Sequence, residues 1–376
     1  MIDFKHISSP CYLIDEKKLR NNLSVIAGVT KATGVEIILA LKANAMWKLF
    51  PIIREYVSGT TASSLNEARL AYEEFGSKTY TYAPVYKDSE IEKILDYSSH
   101  IVFNSVAQFQ KYKSLALAKS VSSGLRINPE YSSVEKDIYN PCSAGSRLGV
   151  TYNQLEVLPE GIEGLLFHSL CESNPENLAN TLKSVKKYYA HILPKIKWLD
   201  MGGGHLMTRK GYDIEELILI LTTFKKEYPH LHIILEPGSA FTWETGWLIS
   251  KIEDIVENKG INTLMLDVSF TCHMPDTLEM PYKPSIIGAH ESKHGEKKWR
   301  LGGNSCLAGD FIGDYTFDKE PKVGDNIIFE DMIHYTVVKT TFFNGVSHPA
   351  IAISDMNNEI RVIKEFNYDD FKNRMS

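Results

Sequence analysis

The feature that most constrains the fold is a regular alternation of short apolar runs and longer segments with helical spacing, from about residue 17 to residue 240. The strand-like runs are "EIILAL", "GTTA", "TYTY", "HIVFN", "GLRIN", "GLLFHS", "KWLDM" and "HIILE". Eight strand–helix units over this length predict a closed (β/α)8 barrel. An open, doubly wound parallel sheet is the structural alternative.

Signals at the helix ends support this alternation. In "SLNEARLAYEEFG", Ser64 and Glu67 have the spacing of a capping box, and Gly76 can end the helix. Ser105 and Gln108 repeat the pattern in "SVAQFQKY". The segment "DIEELILILTTFKKEY" places its acids first and its lysines last, which the helix macrodipole favours.

The pattern changes after "EPGSAFTWETG", where strand-like runs follow one another without long helices between them. These runs are "WLISKIEDI", "NTLMLDVS", "WRLGGNS", "DNIIFED", "HYTVVKTTFF" and "AIAISD", and "SPCYLID" near the N-terminus is similar. We therefore expect the barrel to span residues 17–245. Residues 1–16 and 246–376 are expected to form an all-β domain.

Composition and charge exclude several classes of protein. A formal charge of −6 differs from the basic excess expected of a dedicated nucleic-acid-binding protein. No apolar run approaches the roughly 20 residues of a membrane span, and the N-terminal stretch does not resemble a secretory signal. The five cysteines are scattered without a CxxC pair, so neither a metal site nor a disulfide framework is indicated. We expect a cytoplasmic protein without nucleic-acid or membrane partners.

Chemistry in a (β/α)8 barrel gathers where the strands end. Lys42 is unusual because it follows directly on an apolar run; burial lowers the pKa of a lysine, and a neutral amine can form a Schiff base with an aldehyde. A surface lysine on the barrel rim is the alternative. The strand-end positions are Lys42, Tyr82, Asn104, Arg126, His168, the "GGGH" turn after Asp200, and Glu236.

Three more strand-end features each allow two interpretations. The Gly202, Gly203 and Gly204 turn can offer backbone N–H groups to an anion, or can be a plain tight turn. Glu236 can hold a proton on a ring nitrogen, or can cap a helix or pair with a cation. His168 can stack on a planar ligand, or can be a hydrogen-bonded core histidine. Together, an amine, an acid, an amide-lined turn and a flat ring match the requirements of pyridoxal 5'-phosphate (PLP).

The stretches "LKAN", "FHSLCE", "LDMGGGH", "EPGS", "SCLAGD" and "HYTVVKTTFFNG" resemble those of the fold type III PLP-dependent enzymes, the alanine racemase and ornithine decarboxylase superfamily. They occur in the family's order and cover nearly the whole chain. Within the superfamily, "CHMPDTLEMPYKP" and "LGGNSCLAGD" are similar to the carboxynorspermidine decarboxylases. Those enzymes catalyse the last step of a bacterial route to norspermidine and spermidine.

This resemblance implies a set of residue roles. Lys42 would carry PLP, Glu236 would keep its pyridine nitrogen protonated, and His168 would contact the ring face. The cofactor would also be contacted by Gly202, Gly203, Gly204, Gly238 and, at the phosphate, Tyr335.

The resemblance also implies a head-to-tail homodimer with two shared active sites. The Cys306–Asp310 segment would reach the PLP of the opposite subunit. Cys306 is the preferred proton donor to the substrate α-carbon, with Lys42 as its competitor. Asp276, Glu279 and Asp310 would receive the substrate amines; a solvated acidic loop is the alternative interpretation of the first two.

Two departures from the superfamily narrow the expected substrate. Ser239 follows "EPG", where basic amino-acid and diaminopimelate decarboxylases generally carry arginine. Glu236 stands where alanine racemases place an arginine.

The expected activity is decarboxylation of carboxynorspermidine or carboxyspermidine. A diaminopimelate or basic amino-acid decarboxylase is one alternative, and a catalytically silent binding homologue is another that the presence of Lys42 and Glu236 disfavours.

Overall fold

The computed structural model describes residues 2–134 and 140–376. The chain divides into two compact units. The first consists of Asn22–Phe241, and the second consists of Met1–Asn21 together with Thr242–Ser376. Among the helices of the described ranges, none combines the length and apolar character that a membrane crossing requires.

The first unit contains a parallel sheet whose first strand is bonded on both sides. That strand has two segments, and Glu36–Ile37 pairs with the last strand while Leu39–Ala40 pairs with the second. This closure confirms the predicted barrel and excludes the doubly wound alternative. Each of the eight predicted runs overlaps a barrel strand. The remaining strands are Thr60–Ala62, Thr79–Tyr82, Ser98–Phe103, Ser122–Arg126, Gly164–Leu166, Trp198–Asp200 and His232–Leu235.

The three helices that the sequence predicts are present and begin at Leu65, Val106 and Ile214. The Ser64 hydroxyl accepts a hydrogen bond from the Glu67 N–H at 3.2 Å, and Gly76 ends the next turn with φ = 82°. In a capping box, the Glu67 carboxylate would accept a hydrogen bond from the N–H of Ser64. Here it accepts from the N–H of Ser63 instead. The helices are Glu16–Thr33, Phe50–Ile53, Leu65–Leu70, Ile91–Tyr97, Val106–Ala118, Pro175–Tyr189, Ile214–Glu227 and Ser239–Thr242, with a π-helical turn at Ala71–Phe75.

The barrel interior is packed around the Trp198 indole. Trp198 belongs to a buried cluster with Ile38, Val102, Leu166 and Ile234. Its Nε1–H donates to the Ser122 hydroxyl at 2.9 Å.

Two neighbouring strands make room for this indole with glycine. A Cβ atom added at Gly124 or at Gly164 would overlap the Trp198 ring. The close approach of ring to backbone therefore explains both glycines.

The second unit is built on a nine-stranded mixed sheet. Its N-terminal strand Cys11–Asp15 lies between two others, antiparallel to one and parallel to the other. Cys11 is buried there beside Leu13, Trp247 and Ile249, and burial raises the pKa of its thiol to about 12. The other strands are Gly246–Asn258, Ile261–Leu266, Ala289–Glu291, Trp299–Gly302, Phe311–Phe317, Asn326–Glu330, Ala350–Ser354 and Ile360–Lys364.

One strand predicted in this unit is wrong. The run "HYTVVKTTFF" forms no strand, and its centre is a single 3-10 turn at Val337–Lys339. Tyr335 has φ = 49°, which a strand does not allow, and the Thr336 hydroxyl donates to Asp276 at 2.9 Å. A run of β-branched residues favours a strand only where a neighbouring strand pairs with it.

The expected all-β domain also contains short helices. They are Phe270–His273, Pro275–Glu279 and Tyr368–Met375. The strands Ala289–Glu291, Phe311–Phe317 and Ile360–Lys364 were not predicted.

The packing of Trp198 leads to a stability prediction. Gly164→Ala should lower the free energy of unfolding by about 1–3 kcal/mol, because a methyl group there overpacks the barrel interior. The measurement is the thermal unfolding midpoint followed by circular dichroism. Gly28→Ala is the matched control, since Gly28 lies on an exposed helix face with no atom within 4 Å of an added Cβ, and its midpoint should stay the same or rise. Equal midpoints for Gly164→Ala and the wild type would contradict this account.

Candidate active site

A cavity of about 210 Å³ lies at the carboxyl ends of the barrel strands. Lys42, His168 and Glu236 all line it. Lys42 and His168 each lie two residues beyond a strand, and Glu236 lies one residue beyond the last strand. Because parallel strands end at the same rim of the barrel, residues from distant parts of the sequence meet there.

The cavity encloses the Lys42 amine, and this burial lowers its pKa below the ordinary value for lysine. The negative charge of Glu236 opposes the shift, whereas the Arg126 guanidinium adds to it. A lowered pKa increases the neutral fraction of the amine, which is the form that attacks an aldehyde.

Glu236 is buried, and burial raises its pKa while the charge of Lys42 pulls it down. A second buried carboxyl, that of Asp200, lies against it. Burial and the neighbouring Glu236 raise the pKa of Asp200 well above its usual range. One Asp200 oxygen, Oδ1, accepts from the Gly202 N–H at 2.8 Å. The sequence places Asp200 at a strand end but gives no signal for this pairing.

His168 is held in one tautomer by the glycine turn. Its Nδ1 accepts from the Gly203 N–H at 2.8 Å, so the proton of the neutral ring is on Nε2. Burial lowers the pKa of His168 well below its usual value, and the positive charges of Lys42 and Arg126 lower it further. The ring is therefore an uncharged plane at neutral pH.

The glycine turn lies directly against these side chains. A Cβ atom added at Gly203 would lie 2.5 Å from the Glu236 carbonyl oxygen and 2.9 Å from His168 Cε1. The Gly202 N–H donates to Asp200 and the Gly203 N–H donates to His168, so both N–H groups already have hydrogen-bond acceptors.

Three polar residues for which the sequence predicted no role, Tyr82, Arg126 and Arg147, line the cavity, and Asn104 links two of them from behind. The Arg126 guanidinium donates to the His168 carbonyl at 3.0 Å and lies 4.8 Å from the Tyr82 ring centroid. The Tyr82 hydroxyl donates to Asn104 Oδ1 at 2.8 Å, and Asn104 Nδ2 donates to the Arg147 carbonyl at 2.8 Å. The strand-end rule identified three of these four residues, whereas Arg147 lies in a loop without a periodic signal.

The second unit holds five more of the predicted site residues, whereas Gly238 lies in the first unit, and the roles of all six stay predictions. Asp276 is buried and accepts from the hydroxyls of Tyr282 at 2.7 Å and Thr336 at 2.9 Å. Glu279 is exposed and pairs with Lys339 at 2.5 Å. The predicted residues in this unit are Asp276, Glu279, Cys306, Asp310 and Tyr335.

The Cys306–Asp310 segment is folded around its acid. The buried Asp310 carboxylate accepts from the backbone N–H groups of Thr271 at 3.0 Å and Ser305 at 3.1 Å. Cys306 is exposed, and its N–H donates to Asn344 Oδ1 at 2.8 Å. The Asp310 carboxylate therefore has a structural function in this segment.

The environment of His168 leads to a prediction about protonation. Its ring should remain neutral as the pH falls through 6.5, whereas an unfolded histidine gains a proton near that pH. Since the unfolded state then binds the extra proton, His168 should lower stability progressively as the pH falls below about 6.5. The measurement is the ¹⁵N spectrum of histidine-labelled protein, with His168→Gln to assign the signal. A midpoint between pH 6 and pH 7 for that signal would contradict the structure.

Known proteins are similar to this chain over nearly its full length. The family model described as "Pyridoxal-dependent decarboxylase, C-terminal sheet domain" matches residues 11–333. A carboxyaminopropylagmatine decarboxylase of Synechocystis sp. is 49% identical over 98% of this chain and 96% of its own length. A carboxynorspermidine/carboxyspermidine decarboxylase of Campylobacter jejuni is 41% identical over 99% of both chains.

A solved structure agrees with the fold. Carboxynorspermidine decarboxylase from Campylobacter jejuni, in complex with norspermidine, superposes with a TM-score of 0.91 at 40% identity. The superposition covers 98% of this chain and 100% of that one. The chain belongs to the pyridoxal-dependent decarboxylase family.

Proposed function

We propose that this protein is a PLP-dependent decarboxylase that removes the carboxyl group from carboxynorspermidine or carboxyspermidine. One observation carries the proposal for the chemistry: the fold brings Lys42, Glu236 and His168 together in a single cavity. The names of the similar enzymes support the proposal for the substrate.

The residues of the cavity fit PLP. An enclosed amine, a buried carboxyl and an uncharged flat ring are the groups that an aldehyde, a pyridine nitrogen and an aromatic face require. The N–H groups of Gly202 and Gly203 already donate hydrogen bonds to Asp200 and His168. Gly204 and Gly238 are therefore the better candidates to bind the PLP phosphate, with Tyr335 as a further contact.

Each residue then has a distinct task. When bound, PLP supplies an aldehyde and an electron-accepting ring that can take the electron pair left by departing carbon dioxide. Lys42 presents a partly neutral amine to the aldehyde. Glu236 would hold a proton on the pyridine nitrogen, and a carboxylate there would stabilise that positive charge. His168 would contact the cofactor ring as an uncharged side chain, because burial lowers its pKa.

The substrate α-carbon must regain a proton after the carboxyl group leaves. Cys306 is our first choice as the donor, and Lys42 is the competing choice. Cys306 is exposed on the second unit. We propose that the protein assembles as a homodimer in which the Cys306–Asp310 segment of a second copy completes each site.

The cationic tail of the substrate requires acids to receive it. Asp276 is the best supported of the three proposed residues, because its Oδ1 forms no hydrogen bond in the described part of the chain while Oδ2 accepts two. Glu279 is exposed and could exchange Lys339 for a substrate amine. The Asp310 carboxylate already accepts hydrogen bonds from two backbone N–H groups, so Asp310 is the weakest candidate.

A second candidate substrate is carboxyaminopropylagmatine. The Synechocystis relative with that activity in its name is 49% identical to this chain. This substrate has the same amino-acid head but a guanidinium group at the far end. Decarboxylation of the amino-acid end at Lys42 and Glu236 would be unchanged. Only the residues that bind the opposite, cationic end of the substrate would differ.

The proposed activity predicts a ranking of substrates. Carboxynorspermidine and carboxyspermidine should have the highest kcat/KM and differ by less than about 200-fold, since one methylene is worth roughly 1–3 kcal/mol. Diaminopimelate, ornithine and lysine should be slower by at least about 10-fold, because they lack the polyamine tail. The measurement is released carbon dioxide under steady-state conditions, with Lys42→Ala as the control that should remove turnover.

The other outcomes separate the alternatives. Faster turnover of carboxyaminopropylagmatine would favour the second candidate, and faster turnover of diaminopimelate or ornithine would overturn both. Protein purified with added PLP that shows neither turnover nor the visible absorbance of a bound cofactor would indicate a silent homologue. Undiminished activity in Lys42→Ala would remove the proposed mechanism.

A further inference from the structure

We propose that Asp200 is a neutral, protonated acid that donates a hydrogen bond to Glu236 and thereby holds Glu236 as a carboxylate at the cavity. Asp200 would be a positioning residue, since it acts on the cofactor only through Glu236. The inference deepens the proposed function and rests on PLP being held by Lys42.

The two carboxyls are brought together by adjacent strands. Asp200 ends the strand Trp198–Asp200 and is paired in register with Ile234 of the last strand. Glu236 follows that last strand, and its N–H donates to the Gly202 carbonyl at 2.8 Å. The contact between the carboxyls is therefore fixed by the barrel itself.

The hydrogen bonds of Asp200 leave one oxygen without a donor. Oδ1 accepts from the Gly202 N–H, but Oδ2 is fully buried and has no hydrogen-bond partner in residues 2–134 and 140–376. The group that lies against the Asp200 carboxyl is the Glu236 carboxyl, which is itself an acceptor when ionised. Two acceptors in contact inside a protein require a proton between them, because an unpaired buried charge is costly.

The surroundings decide which carboxyl keeps that proton. Glu236 is attracted by the charges of Lys42 and Arg126 and accepts a hydrogen bond from the Thr61 hydroxyl, all of which favour its ionised form. These interactions lower the pKa of Glu236 and so oppose the increase that burial causes.

Asp200 has no comparable support. The negative charges of Glu236 and Glu36 both disfavour its ionisation, while the Gly202 N–H and the attraction of Lys42 oppose them. Burial raises the pKa of Asp200 well above its usual range, in agreement with a protonated acid at neutral pH.

This arrangement has a functional consequence. With Asp200 neutral, the pair carries a single negative charge, and that charge lies on the residue that faces the cavity. A hydrogen bond donated to a carboxylate lowers its pKa. Asp200 would therefore keep Glu236 ionised at a lower pH than burial alone would allow.

The test compares Asp200→Asn with Asp200→Ala in the PLP-loaded enzyme. Asparagine can accept from the Gly202 N–H and donate to Glu236, so it keeps both hydrogen bonds without an ionisable group. Asp200→Asn should retain kcat within about threefold and leave the acidic limb of the pH profile in place. Asp200→Ala should lower kcat by about 10- to 100-fold and move that limb to higher pH by about one unit.

An infrared measurement on cofactor-free protein makes the test independent of the activity. With ¹³C-labelled aspartate, the wild type at pH 7 should show the carbonyl stretch of a protonated acid, and Asp200→Asn should lack it. Loss of PLP absorbance or a shifted acidic limb in Asp200→Asn would overturn the proposal, as would an absent acid band in the wild type. If the substrate assignment alone is wrong, the infrared result and the PLP absorbance remain as expected.

Discussion

The whole arrangement depends on enclosing one amine beside one carboxyl in a small cavity. Burial disfavours the charge on Lys42 and the charge on Glu236, but each charge stabilises the other. The result is an amine that is more nucleophilic than an exposed lysine and a carboxyl that can still ionise. Neither residue would have this chemistry alone, since an isolated buried charge is costly. Their proximity therefore determines which ligand the cavity can hold.

Barrel closure provides that proximity. The first strand is bonded to the second through Leu39–Ala40 and to the last through Glu36–Ile37. Lys42 and Glu236, which are 194 positions apart by their numbers, consequently leave neighbouring strands at the same rim. The glycine turn completes the arrangement, because a side chain at Gly203 would collide with the Glu236 backbone and the His168 ring. Packing of Trp198 against Gly124 and Gly164 keeps the interior below the cavity filled.

The sequence predicts the barrel well because several strand signals are followed by a helix with its own end signals, such as Ser64 and Gly76. It identifies Lys42, His168 and Glu236 because a barrel's chemistry lies at strand ends. The partnership of Asp200 with Glu236 is not readable, since it depends on which strands are neighbours and on the missing donor at one oxygen. The run "HYTVVKTTFF" failed as a strand because propensity does not show whether a pairing strand is available.

The central claim is that PLP binds covalently to one particular lysine. Borohydride reduction of the PLP-loaded protein should fix the pyridoxyl group on the amine that carries it, and peptide mapping by mass spectrometry identifies that amine. The account predicts a single modified peptide, with the label on Lys42, and no such label in Lys42→Ala. A label on another lysine, or full cofactor binding in Lys42→Ala, would contradict it.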